Sequence, residues 1–163
     1  TECTISGSVD FIFGAGQAVF EKVNIISRDR GSQSNNGYIV APSTSIAQPL
    51  GFVFIDCRLS KESPLMAAGT VSLGRPWHPG GDPNAIGSAV FIGCWMDDHV
   101  AAAGWVAMYS TNAAGVRVQH LPEEARFSEA KSTGPGALHS ATRRWLTDSE
   151  VLRVMDMVRL PAK

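Results

Sequence analysis

The chain has 163 residues, with 14 Lys plus Arg against 15 Asp plus Glu and a net charge of −1. That length suits one domain with a sizeable core, expected as a single unit over 1–163. The balanced charge, without a basic block, excludes an electrostatic case for nucleic acid or an anionic membrane, and no apolar run approaches the roughly 18 to 20 residues of a spanning helix.

The predicted elements are short segments rich in Val, Phe and Ile, separated by turn residues, which is the grammar of strands. The first, Val9 to Phe13, carries Asp10 in an apolar run bounded by Gly7, Gly14 and Gly16. Burying a carboxylate is costly unless something pairs with it, so its position marks it as a used residue. Arg75 is the natural partner. Further strands are expected over Ala18 to Ile26, Tyr38 to Ala41, Gly51 to Leu59, Thr70 to Leu73 and Ser88 to Met96. A repeat runs through them: Val19-Phe20 with Val23, Val53-Phe54 with Cys57, and Val90-Phe91 with Cys94. Val40 and Val71 fall near the midpoints, so the period is read as about 18, with one strand per turn. A period near 20 without helices between strands predicts an all-β, parallel β-helix (solenoid). A β-sandwich would show hairpin signals, and Asn36-Gly37 is the only tight one.

The loops after Arg28 and after Trp77 are polar and rich in Gly and Pro, as cleft-building insertions in solenoids are. In Leu73-Gly74-Arg75-Pro76-Trp77, the proline holds Arg75 extended, and an exposed indole suits the C–H face of a sugar ring. Together with Asp10 these residues point to a carboxylate held ionised by a guanidinium beside an aromatic platform, a hydrolase site for sugars. Trp95, in a strand-like run, is expected to be core. Asp97-Asp98-His99 is read as a turn rather than a metal site, because neighbouring side chains on a strand point to opposite faces. After Gly115 the chain turns polar, and no strand is expected there. Thr147 with Glu150 forms a capping box that predicts a short helix over 147–158, placed to cover the last turn. Cys3, Cys57 and Cys94 make no zinc-like or CxxC spacing and are expected to be packed thiols.

Gly7-Ser8-Val9-Asp10-Phe11-Ile12-Phe13-Gly14 resembles the GTVDFIFG block of the pectin methylesterases (pectinesterases), and Leu73-Gly74-Arg75-Pro76-Trp77 resembles their LGRPW block. Gly37 to Thr44, Asp82 to Gly87, Gly104-Trp105 with Met108, and Gly134-Pro135-Gly136 extend the resemblance in order along the chain, most closely to the bacterial branch. The resemblance implies a right-handed parallel β-helix that removes methyl esters from polygalacturonate. It implies Asp10 as nucleophile, forming an acyl-enzyme that water hydrolyses, and Arg75 as the partner that orients it. It implies that Val9, Phe13, Arg30, Trp77 and Met108 bind substrate, Arg30 through a free galacturonate carboxylate, with Asn35 a weaker candidate. His78 is expected to be either a substrate neighbour or a solvated loop residue. No cofactor and no metal are called for. The implied partner is pectin, the implied state monomeric, and the location secreted, read from the polymer substrate.

The family also uses a second Asp, as general acid and base, and a preceding Gln for the oxyanion. No Gln-Asp dipeptide occurs in these 163 residues. The expectation is therefore a C-terminal part of a longer esterase, nearly inactive and poorly folded alone. The competing readings are a pectate lyase or polygalacturonase on the same fold, a non-catalytic pectin-binding remnant, and a thioesterase-like relative. No GxSxG elbow favours a serine esterase.

Overall fold

The computed structural model describes residues 3–159 as a β-helix with a single long helix against its side. Each of the first three turns sends one short strand into each of three parallel sheets, and the last turn adds strands to the first and third. The first sheet is β1 (Thr4–Gly7), β4 (Asn24–Ser27), β7 (Arg58–Lys61) and β10 (Trp95–Met96). The second is β2 (Val9–Gly14), β5 (Gly37–Pro42) and β8 (Val71–Gly74). The third is β3 (Ala18–Glu21), β6 (Phe52–Ile55), β9 (Ser88–Ile92) and β13 (Arg126–Ala130).

The repeat read from the sequence is real, but its period is twice the expected one and its turn holds three strands. Val19, Val53, Val90 and Ser128 stack in register, at intervals of 34, 37 and 38 residues. Val40 and Val71 are not equivalents of these; they belong to the second sheet. An apolar strand crosses the core in every sheet, so hydrophobicity recurs more than once per turn, and the pattern cannot say which sheet it marks.

The runs Ala18 to Ile26, Gly51 to Leu59 and Ser88 to Met96 each break into two strands at a corner. The corner residues, Lys22, Asp56, Gly93 and then Lys131, all have positive φ, between 51° and 65°. One left-handed residue per turn bends the chain from the third sheet to the first.

Inside the helix the aromatic rings form a ladder. Phe20 stacks on Phe54 with centroids 4.6 Å apart, and Phe54 on Phe91 at 4.3 Å. The next rung is Glu129, register partner of Phe91 and fully buried. Its carboxylate is neutralised by a two-pronged bond from buried Arg143, which also donates to the Gly136 carbonyl.

Three expectations are corrected here. The chain after Gly115 does form strands. β11 (Met108–Thr111) and β12 (Arg117–His120) make an antiparallel hairpin, and β13 completes the third sheet. Their polar residues disguised them, since Glu129 takes an interior position, beside Phe91, and Ser128 a position on the outer face, beside Val90, that apolar side chains hold in the preceding turns. The helix α1 (Asp148–Arg159) forms as expected, with the box closed by Thr147 N–H to Glu150 Oε2 at 2.8 Å and Glu150 N–H to Thr147 Oγ1 at 3.3 Å. It does not cover the last turn. Val151 and Val154 lie on the outer face of the third sheet, against Val53, Ile55, Val90, Ile92 and Ala130, because that face is apolar across three turns. Trp95 is not core: it sits half-buried beneath the Arg58 guanidinium, 3.6 Å from its ring centroid, while Trp105 is the tryptophan in the core. Cys57 and Cys94 are buried thiols, and Cys3 is exposed. Among the described residues no helix is long and apolar enough to cross a membrane.

Candidate active site

Strand β2 departs from the regular ladder. Its register with β5 shifts between Val9 and Ile12, and Asp10 has φ 50°, a left-handed conformation for a non-glycine residue. A bulge of this kind re-aims a side chain. Strict alternation would send Asp10 to the face opposite Val9. Instead Phe11 and Ile12 both pack toward the core, while Val9 and Phe13 stand exposed at 42 % and 64 %. The extra residue leaves Asp10 on the outer face with them. Its side chain is 20 % exposed, so the carboxylate lies at the floor of an open face rather than submerged in the strand as the sequence suggested.

Arg75 follows β8, two turns further along, and reaches back across the second sheet. Its Nε donates to Asp10 Oδ1 at 2.9 Å and to Oδ2 at 3.2 Å, and its Nη2 donates to Oδ2 at 2.6 Å. This is a planar fork on a carboxylate, the arrangement in which arginine fixes orientation as well as charge. The hydrogen bond that Arg75 donates to Asp10 raises the Arg75 pKa above its ordinary value, against the opposing effect of burial. On the intervening turn, Tyr38 of β5 lies directly under the guanidinium, 4.0 Å from ring centroid to Cζ. Its hydroxyl accepts a hydrogen bond from Asn35 Nδ2 at 2.7 Å.

The walls come from the loops on either side of this sheet. Trp77 meets Phe13 edge to face, with centroids 5.8 Å apart, so the two rings form one apolar wall beside the carboxylate. On the other side the 28–36 loop carries Arg30, exposed, with its backbone N–H held by Asn36 Oδ1 at 3.0 Å. Asn36 is fully buried. It also accepts from Ser32 N–H and donates to the Ser32 carbonyl and to Thr70 Oγ1. Met108 opens the β11–β12 hairpin, with its side chain half-buried.

The structure thus brings Asp10, Arg75, Phe13, Trp77 and Val9 to one face, and sets Arg30 and Met108 on flanking elements without a direct bond to the pair. Sequence reasoning missed Tyr38 and Asn36. Tyr38 stood within a quoted block, yet only the register of β2, β5 and β8 shows that its ring lies against the guanidinium that binds Asp10. His78 is neither solvated nor beside the carboxylate: it is buried and stacked on His120. Asp97, Asp98 and His99 form a turn, with Asp98 bonded to Lys61 at 2.7 Å and His99 turned inward to Ser27 Oγ at 3.2 Å.

A carboxylate locked by a guanidinium, flanked by aromatic rings and laid across consecutive turns of a parallel β-helix, defines a β-solenoid protein with a polar site on the outer face of its second sheet. The chain belongs to the Pectinesterase family, whose sequence profile matches residues 1–158. It is 43 % identical over 154 residues to Pectinesterase A of Dickeya chrysanthemi, covering 88 % of this chain and 42 % of that protein. Pectin methylesterase from Yersinia enterocolitica superposes with a TM-score of 0.90 at 41 % identity, over 98 % of this chain and 53 % of its own. A pectin methylesterase crystallised with a hexasaccharide gives a TM-score of 0.89 at 42 % identity, covering 93 % of this chain and 47 % of that one. The chain therefore spans about half the length of these relatives.

Proposed function

We propose that this chain carries the nucleophile half of a pectin methyl ester hydrolase, with Asp10 as the attacking group. The observation that carries the reading is the fork from Arg75. It occupies Asp10 Oδ2 through two donors and leaves Oδ1 with one, so Oδ1 is the oxygen free to approach a substrate. Attack of Oδ1 on the ester carbonyl carbon forms a C–O bond and, as the tetrahedral species collapses, breaks the bond to methoxide, which leaves as methanol on taking up a proton. Water then cleaves the mixed anhydride, restoring the Asp10 carboxylate and releasing galacturonate; of the two protons set free, one replaces that taken up by methanol and the other is the net product. Phe13 and Trp77 seat the sugar ring, and Arg30 faces a neighbouring free carboxylate.

The reaction needs a general acid and an oxyanion donor. Among the described residues no second carboxylate is bonded to Asp10 or Arg75. The 163-residue chain alone is thus expected to release methanol more slowly than an intact esterase by a factor of about 10² to 10⁴. Pectin as substrate also favours a secreted protein.

The test is methanol release from methylated pectin by the chain, alone and mixed with the N-terminal part of Pectinesterase A. Complementation that vanishes by at least about 10³-fold in Asp10→Asn supports the assignment. Complemented turnover that survives the substitution refutes Asp10 as nucleophile. Tight pectin binding without turnover in any mixture makes the chain a binding module.

A further inference from the structure

The three copies of the sequence repeat end on Val23, Cys57 and Cys94, and ester hydrolysis leaves all three unused. The register of the sheets puts them in one column. Ile55 pairs with Ile92 before the corner and Arg58 with Trp95 after it, both at an interval of 37 residues, so Cys57 and Cys94 lie at the same place on successive turns. Val23 continues the column on one side, since Asn24 pairs with Arg58, and Ser132 continues it on the other, since Trp95 pairs with Thr133. The two thiols also make matching contacts. Cys57 Sγ lies 3.3 Å from the Phe20 carbonyl and 3.5 Å from that of Ile55, while Cys94 Sγ lies 3.7 Å from the Phe54 carbonyl and 3.6 Å from that of Ile92. Equivalent contacts aim both sulfurs the same way, one above the other.

Neighbouring parallel strands lie about 4.8 Å apart, within the roughly 4.4 to 6.8 Å that separates the Cα atoms of a disulfide. The spacing of the turns already suits that bond. The thiols also interact: the hydrogen bond between them, together with burial, pushes the Cys94 pKa above the ordinary thiol range, and the same bond holds Cys57 below it against the effect of burial. Cys57 is thus the readier thiolate of the two. Both side chains are buried, at 1 % and 0 % exposure, so a reagent reaches them before the third turn has stacked on the second and not afterwards.

We propose that Cys57 and Cys94 are a modification site, joined during folding into a disulfide that staples the second turn to the third, with a disulfide-bearing compound as oxidant. The Cys57 thiolate attacks one sulfur of the oxidant, forming a mixed disulfide and expelling the first thiolate. Cys94 then attacks Cys57 Sγ and expels the second. Two protein thiols are oxidised to one S–S bond, the oxidant is reduced to two thiols, and the two protein protons pass to the departing sulfurs. The bond closes an interval that contains β8, Arg75 and Trp77, so it ties the chain bearing the site to the turn before it. It stands independently of the esterase reading.

The test refolds the intact protein from urea in a mixture of oxidised and reduced glutathione and, in parallel, in dithiothreitol. Remaining thiols are alkylated under denaturing conditions and the tryptic peptides are identified by mass spectrometry. Lys22, Arg30, Arg58 and Lys61 separate Cys3, Cys57 and Cys94 into three peptides, so the partner of each cysteine is read directly. The glutathione sample should yield a Cys57–Cys94 peptide pair and melt about 5 to 10 °C above the dithiothreitol sample. Cys94→Ser should remove that difference, in a column where Ser132 already sits, and Cys3→Ser should keep it. The peptide map of the parent chain decides the matter even where a variant fails to fold. Recovery of Cys57 and Cys94 as alkylated thiols from the glutathione sample overturns the proposal. So does either one joined to glutathione or to Cys3 instead, a melting difference that Cys3→Ser abolishes, or a cross-link that leaves the melting temperature unmoved.

Discussion

At the scale of single residues, the site depends on a backbone conformation that its own side chain does not favour. Asp10 sits at φ 50° in a bulge, a placement that is rare for non-glycine residues and that surrounding structure must hold. The fork from Arg75 and the Tyr38 ring beneath it help to hold it. Arg75→Lys keeps the positive charge but replaces the planar fork with a single ammonium, and the stacking over Tyr38 is lost. We expect the complemented activity to fall by about 10² to 10³, read as methanol release, with little change in the melting temperature. His99 acts on stability instead. It is fully buried, and burial lowers its pKa from 6.5 to about 4. Above pH 6.5 the ring is neutral whether the chain is folded or unfolded, so it has no effect. As pH falls below 6.5 the unfolded chain binds a proton that the folded chain refuses, and stability is lost progressively down to about pH 4, by about 3 kcal/mol in all. Urea unfolding at pH 7.5 and pH 4.5 should show this loss in the parent chain and a smaller one in His99→Met.

At the scale of elements, the strands are cut by corners and the helix by its cap. The four left-handed corners at Lys22, Asp56, Gly93 and Lys131 explain why single apolar runs become strand pairs. Only one of the four is glycine, so nothing in residue type announced the break. The helix start, by contrast, was legible to within a residue, because a capping box is a local hydrogen-bond pattern that depends on four consecutive residues. Thr147→Ala removes the acceptor of the Glu150 N–H and should lower the unfolding free energy by about 1 kcal/mol in a denaturant titration. Where the helix docks was not legible. Its partners Val53, Val90 and Ala130 belong to three different turns, and only the stacking of those turns makes their outward faces one surface.

At the scale of the whole molecule, stability rests on ladders that run the length of the solenoid. The phenylalanine stack is graded: Phe54 and Phe91 are fully buried, while Phe20, in the first turn described, is half-buried. Phe54→Ala opens a cavity between two rings and should cost about 3 to 5 kcal/mol. Phe20→Ala removes a ring that solvent already reaches and should cost less than about 2 kcal/mol. Paired denaturant titrations decide between them, and equal losses would contradict a graded core. The far end of the ladder is closed differently, by the Glu129–Arg143 pair, whose removal of one partner would strand a buried charge.

What the sequence determined by itself was everything carried by short spacing. That includes a chain of Val- and Phe-rich strands, the resemblance of two blocks containing Asp10 and Arg75, and a capped helix near the C-terminus. Each is encoded within a few consecutive residues, where strand alternation and hydrogen-bond reach act directly. Only the tertiary structure decided what joins distant residues: the three-strand turn of 34 to 38 residues, the outward swing of Asp10, and the Tyr38 ring beneath the Arg75 guanidinium. The physical reason is the register of parallel stacking. It aligns residues a full turn apart, and a linear pattern of apolar positions is the same for any sheet they could occupy.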